Sequence, residues 1–475
     1  MATRRIGQFL GQHVRQMSYV NRIIKDVKAR DPTKWTDYGD GLYNANRPPK
    51  HADIVVIGGG AMGSSTAYFL RRQAEAGVSV LVVERDPAYT RASSVLSCGG
   101  IRQQFSVPEN ILMSMYSAHF LRNLKQNLCV DDADPPDIQF NPQGYLCLAS
   151  EKGVDIMRDN YKTQCELGAK IELLTAKKLQ ERFPWINTED VELGAYGLEN
   201  EGWFDPYLLT KAFKHKAESL GARYCHGEVV GFECSQTSPG LSAAEFSAGE
   251  GKRIKSVKVR MPNSPEIIEV DCAMAVICAG AWSGQLASML DIGHGTQKQL
   301  LDVPLPVEPR KRYVYVCHCP TGPGLDAPMV INQEGSYFRR EGLGGNYIMG
   351  SGPRTDEEEP KTTDMNVDYD FFDEVVWPSI SKTVPAFECL KLKSAWAGFY
   401  DYNTVDQNAI IGFHPAYPNL LMATGFSGHG IQQSPAVGQA ISDLVFEGKF
   451  VEIDLTRMGF DRFVKRMPIR EQCII

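Results

Sequence analysis

Apolar positions fall along the chain in three kinds of run, and each predicts a different element. Short unbroken blocks at Asp53–Ile57, Ala273–Cys278 and Leu420–Thr424 read as strands buried on both faces, and glycines follow each one. Runs with apolar residues at i, i+3 and i+4 predict helices from 61 to about 76, over 109–128 (Ile111, Leu112, Met115, Phe120, Leu121, Leu124), and around 151–167 and 175–183. Two more are expected: one over 206–219, with Asp205 as N-cap and Pro206 at the first helical position, and one with Pro435 near its start that runs to about Phe446. Strands are expected over Gly144–Ala149, Tyr224–Phe232, Lys255–Arg260, Tyr313–Cys319, Tyr337–Gly342 and Tyr347–Gly350. Irregular stretches over 31–51, 131–136 and the Ser/Gly-rich 235–251 read as linkers and loops, and residues from the acidic run to about Leu392 as helix and linker.

The first buried block carries the most chemistry. It enters Gly58-Gly59-Gly60-Ala61-Met62-Gly63 and then a helix that stops at Gly77; a second strand, Val78–Val83, ends in Glu84. Gly58 permits a tight turn, Gly60 lets backbone N–H groups approach a pyrophosphate, and Gly63 lets the helix pack on the strand. The helix N-terminus presents its positive end to phosphate, and Glu84 is placed to accept hydrogen bonds from an adenosine ribose. Strand, glycines, helix, strand and acid in that order predict a dinucleotide site.

With 475 residues, more than one core is expected, and the blocks interleave in sequence. A net charge of -7 gives no reason to expect nucleic acid. No apolar window is long enough to cross a membrane. The 12 cysteines show no zinc spacing, which fits a reducing compartment and small core thiols; Cys317 and Cys319 would share one strand face as structural residues, and no metal is expected. Residues 1–30 are basic (Arg4, Arg5, Arg15, Arg22, Lys25, Lys28, Arg30), with an apolar stripe and one acid, Asp26. That is the composition of a mitochondrial transit peptide; a docked helix and a membrane-surface helix are the alternatives.

Three further stretches bear on a ligand. Arg91–Arg102 is rich in small residues and reads either as backbone packed against a flat ligand with Arg102 projecting, or as a tight loop with a surface arginine. Arg310-Lys311-Arg312 is either a solvated patch or a hold for an anion, and Asp356–Pro360 reads as a solvated acidic loop. Finally, Gly425-Phe426-Ser427-Gly428-His429-Gly430 repeats the strand, glycine-loop and helix arrangement far from the first. A nicotinamide domain needs no such distant closing segment. A flavin does, because its reduced ring carries charge that a helix N-terminus stabilises by roughly 0.3–1 kcal/mol, up to about 2 when partly buried. FAD is therefore the expected cofactor, with an NAD(P) enzyme using the first motif alone as the alternative.

Together these stretches resemble the D-amino-acid oxidase-like flavoprotein superfamily, which includes sarcosine oxidase and dimethylglycine dehydrogenase; the similarity runs over roughly residues 52–465. The resemblance implies an α/β fold: a Rossmann-like FAD-binding domain from 52–130, 200–300 and 397–465, and a mixed-sheet substrate or cap domain from 131–199 and 301–396, with a tail from 466. It implies cofactor contacts from Gly58, Gly60, Ala61, Met62 and Gly63, from Glu84, Arg85, Ser93 and Ser94, and from Val229 and Gly280. The second loop adds Gly425, Ser427, Gly428, His429, Gly430 and Ile431.

In the active relatives an amine with a nearby carboxylate loses hydride to the flavin, so a cation must hold the carboxylate; Arg102 and then Arg340 are the candidates, with His429 beside the flavin. The sequence departs from its relatives where they tether the flavin: Leu96 stands for a histidine and Phe399 for a cysteine, which implies non-covalent FAD. Ile348 and Gln432 stand where sarcosine oxidase keeps lysines, which removes cations that stabilise reduced oxygen and points to a dehydrogenase or a silent site.

A closer likeness, carried by Phe183–Glu189, Glu201–Pro206, Val307–Val316, Tyr337–Gly342 and Ser394–Gly398, is to a mitochondrial branch that acts in assembling respiratory complex I. It implies complex I subunits or assembly intermediates as partners, at the matrix side and at most peripheral to the inner membrane. A small amino-acid substrate is the other implied ligand.

Overall fold

The structure is a computed structural model and describes residues 46–74, 77–130, 136–236, 252–295 and 300–472. The basic N-terminal stretch 1–30 and most of the 31–51 linker lie outside the described residues. Two large sheets face one another. The first runs in the order Ile410–His414, Tyr417–Thr424, Ile267–Ile277, His51–Ile57, Val80–Glu84, Arg223–His226. Its central strands are parallel, with Val56 opposite both Val276 and Val82, so the two glycine-ended blocks stand side by side as expected. Those strands bury nearly every residue because helices cover one face and an antiparallel extension, Glu228–Gln236 with Lys252–Arg260, covers the other.

Helices Ala61–Ala74 and Gly430–Phe446 lie against each other on that sheet. Ser65 Oγ donates to Ser434 O at 2.7 Å, and a Cβ on Gly438 would fall 2.2 Å from Ser65 Oγ. Their contact brings both glycine loops to one edge of the sheet, although the loops are separated by most of the chain.

The second sheet runs Lys391–Asn403, Val307–His318, Asn346–Gly350, Tyr337–Glu341, Met329–Ile331, Tyr145–Ala149, Leu193–Gly197, Ile171–Thr175. It is mixed, with Met329–Ile331 parallel to Tyr145–Ala149 and its other pairs antiparallel. One face packs on its own helices around Phe338, Tyr347, Phe372 and Phe387. The other face looks towards the first sheet.

Several elements differ from the sequence expectation. Strands Ile171–Thr175, Leu193–Gly197 and Ile410–His414 were not anticipated because each is short and interrupted by glycine or charge. The stretch Tyr224–Phe232 is two strands broken at Gly227, whose N–H donates to Glu84 O. The domain boundary expected at 396/397 falls inside the strand Lys391–Asn403, which pairs along its length with Val307–His318 and belongs whole to the second sheet. Cys317 and Cys319 are core residues of that sheet.

Candidate functional site

A cleft of about 400 Å³ opens between the sheets and is lined from both. At one end is the first glycine loop. Gly58 has φ +100° and lies so close to the neighbouring strand that a Cβ would sit 2.5 Å from Cys278 O. A Cβ on Gly63 would sit 1.8 Å from Gly58 O, so the helix can start here only with glycine at both positions. Gly59 N–H donates to Glu84 Oε2 at 2.7 Å and Asp86 N–H to Glu84 Oε1 at 2.8 Å. Each oxygen keeps a second lone pair for a ribose hydroxyl, while burial raises the carboxyl above its ordinary range. Ser94 Oγ accepts from Ala61 N–H at 3.1 Å, Ser93 Oγ donates to Phe399 O, and the Arg85 guanidinium stacks 4.1 Å from the Trp282 ring. Gly60, Ala61, Met62, Val229 and Gly280 also line this part of the cleft.

At the other end is the second loop. Asp401, buried in the long strand Lys391–Asn403, accepts from Gly425 N–H (2.7 Å) and Phe426 N–H (3.1 Å) through Oδ2, and Ser427 N–H donates to its carbonyl at 3.0 Å. Asn403 N–H then donates to Ser427 Oγ at 3.0 Å. Burial pushes Asp401 up to about 6. These bonds fix the entry to helix Gly430–Phe446, whose first turn with Ser427, Gly428, His429, Gly430 and Ile431 faces the cleft. Gly63 and Gly425 stand behind the wall as packing and turn residues. A ribose acceptor at one end and two helix N-termini opening on one space fit an extended dinucleotide carrying negative charge.

Arg102 sits between these ends and is 3% exposed. Its backbone N–H donates to Gln432 Oε1 at 2.9 Å, its Nη2 lies 3.3 Å from His429 Nε2, and its guanidinium lies over the Phe105 and Tyr145 rings. Burial and the adjacent guanidinium lower His429 to about 3, so the imidazole is neutral at neutral pH. Since Arg102 only donates, that pairing assigns Nε2 as acceptor and puts the ring proton on Nδ1. The surface-arginine alternative for Arg102 is thereby excluded.

Arg340, the second candidate for holding the carboxylate, does not line the cleft. Tyr337 lines the cleft, so strand alternation sends Phe338 and Arg340 to the opposite face. There Arg340 Nη1 donates to Pro323 O at 2.9 Å and its guanidinium packs 5.7 Å from the Tyr347 ring. It is a structural arginine of the second sheet, away from the site.

The three adjacent cations each meet an acid of the chain. Arg312 forms a two-pronged pair with Glu359 and donates to Tyr400 Oη, Arg310 also meets Glu359, and Lys311 meets Asp364. The acidic loop is therefore pinned across this strand, and Arg312 lines the cleft in a neutralised state. Tyr145, Met329, Ile331 and Tyr337 complete the wall from the second sheet, and none of the four stands among the site residues that the sequence predicts. Asp401 gave no signal, because the loop it holds lies 24 residues further on. Leu96 and Phe399 both line the cleft and offer no atom for a covalent flavin link, Gln432 lines it too, and Ile348 does not. Among the described residues no lysine lines the cleft.

Residues 53–444 match the family described as FAD dependent oxidoreductase. The chain is 51% identical over 457 residues to FAD-dependent oxidoreductase domain-containing protein 1 of Xenopus laevis, covering 96% of this chain and 91% of the relative. It is 52% identical over 440 residues to the protein of the same name from Bos taurus, covering 91% and 89%. Among solved structures, L-proline dehydrogenase from P. horikoshii superposes with a TM-score of 0.71 at 26% identity, covering 89% of this chain and 100% of that one. The chain belongs to the FAD dependent oxidoreductase family, and FAD is its cofactor.

Proposed function

We propose that this flavoprotein oxidises the C–N bond of a small amine carrying a carboxylate, an amino or N-methylamino acid. The observation that carries this reading is the buried Arg102 guanidinium at the inner wall of the cleft, between the two loops. FAD, when bound, supplies the hydride acceptor. The residues of the chain do the rest. Arg102 holds the carboxylate and so aims the reacting C–H bond. Neutral His429 adds no charge of its own beside it. The Tyr145 and Tyr337 rings narrow the space left for water. Among the described residues no lysine lines the cleft, which supports a dehydrogenase that passes electrons to a quinone or a second flavoprotein rather than to oxygen. Anaerobic addition of sarcosine, dimethylglycine and D- and L-amino acids tests it: bleaching of the flavin by one of them is expected, and no bleaching with any carboxylate-bearing amine contradicts it.

A second reading is favoured by the long runs Val307–Val316 and Glu201–Pro206, which resemble the mitochondrial branch. In that reading the protein resides on the matrix side, peripheral to the inner membrane, and binds complex I assembly intermediates, with redox turnover dispensable. Restoration of complex I by an Arg102→Ala variant that keeps FAD, in cells lacking the protein, is expected under this reading; loss of complex I with that variant contradicts it.

A further inference from the structure

Beneath Arg102 lies a buried acid with no part in the scheme above. Glu201, in the loop before the short strand Gly202–Trp203, is 0% exposed. Its Oε1 accepts from Gln103 N–H at 2.8 Å, and its Oε2 accepts from Gln104 Nε2 at 2.8 Å. Gln104 Nε2 also donates to Tyr145 O at 2.9 Å. The carboxylate lies so close to Gly197 that a Cβ there would fall 2.0 Å from Oε2. Pairing of Gly202–Trp203 with Gly100–Ile101 fixes the register, so Glu201 holds the chain on the C-terminal side of Arg102 while Gln432 holds Arg102 itself.

We propose that Glu201 is a positioning residue for Arg102 that takes up a proton when a carboxylate ligand binds there; the proposal rests on Arg102 being the carboxylate anchor. Without a ligand, the Glu201 charge is opposite in sign to the guanidinium and favoured by it. A ligand carboxylate on Arg102 brings a like charge to the same buried region, and the less costly response is to protonate Glu201. Two features support this. Burial already lifts the carboxyl to about 7, so a small added repulsion acts within the physiological range. Gln103 and Gln104, which donate to the carboxylate, directly follow Arg102 and are each 2% exposed, so a charge added at Arg102 acts on Glu201 through buried protein rather than through water. The titratable and charged groups facing Glu201 are Arg102, Tyr145 and Tyr196; His429, with Glu471, stands beyond Arg102. Both tyrosines are shifted upward by burial and stay neutral, which leaves His429 as the competing proton acceptor.

The test is titration of the FAD-loaded protein with propanoate between pH 5.5 and 8.5, followed by flavin absorbance and by calorimetry in two buffers of different ionisation heat. Wild type is expected to take up a fraction of a proton near pH 7, and its affinity to fall towards tenfold per pH unit above that. Glu201→Gln is expected to abolish the uptake and flatten the profile, whereas His429→Gln retains both. Uptake that persists in Glu201→Gln, or vanishes only in His429→Gln, overturns the proposal and leaves the Arg102 anchor standing. No response of the wild type to any carboxylate overturns the anchor and the proposal together. A second variant, Gln104→Met, keeps the carboxyl but removes one donor to its charged form, and is expected to move the midpoint upward; an unmoved midpoint contradicts the proposal.

Discussion

The two glycine loops look alike in sequence and are held in different ways. The first is fixed by its neighbours: Gly58 N–H donates to Val83 O, Gly59 N–H to Glu84, and Ala61 N–H meets Ser94, all within the first strand–helix–strand unit and the loop after it. The second takes its three loop bonds from Asp401 on the facing sheet, and its helix is tied to Arg102 through His429 and Gln432 across more than 300 residues of sequence. The adenosine half of the site is therefore a local structure, and the flavin half exists only when both sheets and the Arg102 segment are in place. Lesions at the first loop should act on all dinucleotide binding, and lesions at the second on the flavin half alone.

The largest expected effect is at the first loop. Gly63→Ala forces a methyl into Gly58 O, an overpacking worth about 1–3 kcal/mol of stability. The variant should purify without yellow colour and fail to bind ADP as well as FAD, as absorbance and calorimetry would record. Next is Asp401→Ala, which leaves two buried N–H groups without their acceptor at about 1–3 kcal/mol. FAD should bind roughly 10- to 100-fold more weakly by flavin fluorescence, with ADP affinity unchanged; equal losses for both ligands would blur the distinction between the loops. Smaller is Arg102→Ala. It should weaken carboxylate ligands by about 1.5–3 kcal/mol while FAD stays bound.

The effect that is smallest at neutral pH, and grows only on acidification, is at His429. Burial lowers it to about 3 from an ordinary 6.5, so the unfolded state binds the extra proton. Its contribution to stability is present above about pH 6.5 and is lost as pH falls towards 3; His429→Gln should remove that part of the slope in denaturant titrations across this window.

Legibility in the sequence follows the same division. Gly58, Gly60, Gly63 and Glu84 could be read because their partners lie within one short unit whose period and glycines are visible together. The second loop was visible as a motif, but Asp401 was not, since one acid in an alternating strand carries no sign of what it binds. Arg340 has the charge that a carboxylate anchor needs, but strand alternation puts it on the far face while Tyr337 faces the cleft. Arg310 to Arg312 read as a patch because their counter-charges, Glu359 and Asp364, come from a loop some fifty residues away. Glu201 sat in a recognisable run, yet nothing local says that an acid between asparagine and glycine is fully buried.

The central claim is that two loops of different origin grip one FAD molecule. Titration of the apoprotein with FAD, ADP and FMN, in wild type, Gly63→Ala and Asp401→Ala, tests it most directly. The account predicts one FAD per wild-type chain, loss of FAD and ADP binding in the first variant, and weakened FAD and FMN with intact ADP binding in the second. Full-strength FAD binding by Asp401→Ala, or independent binding of ADP and FMN with no gain when they are joined, would contradict it.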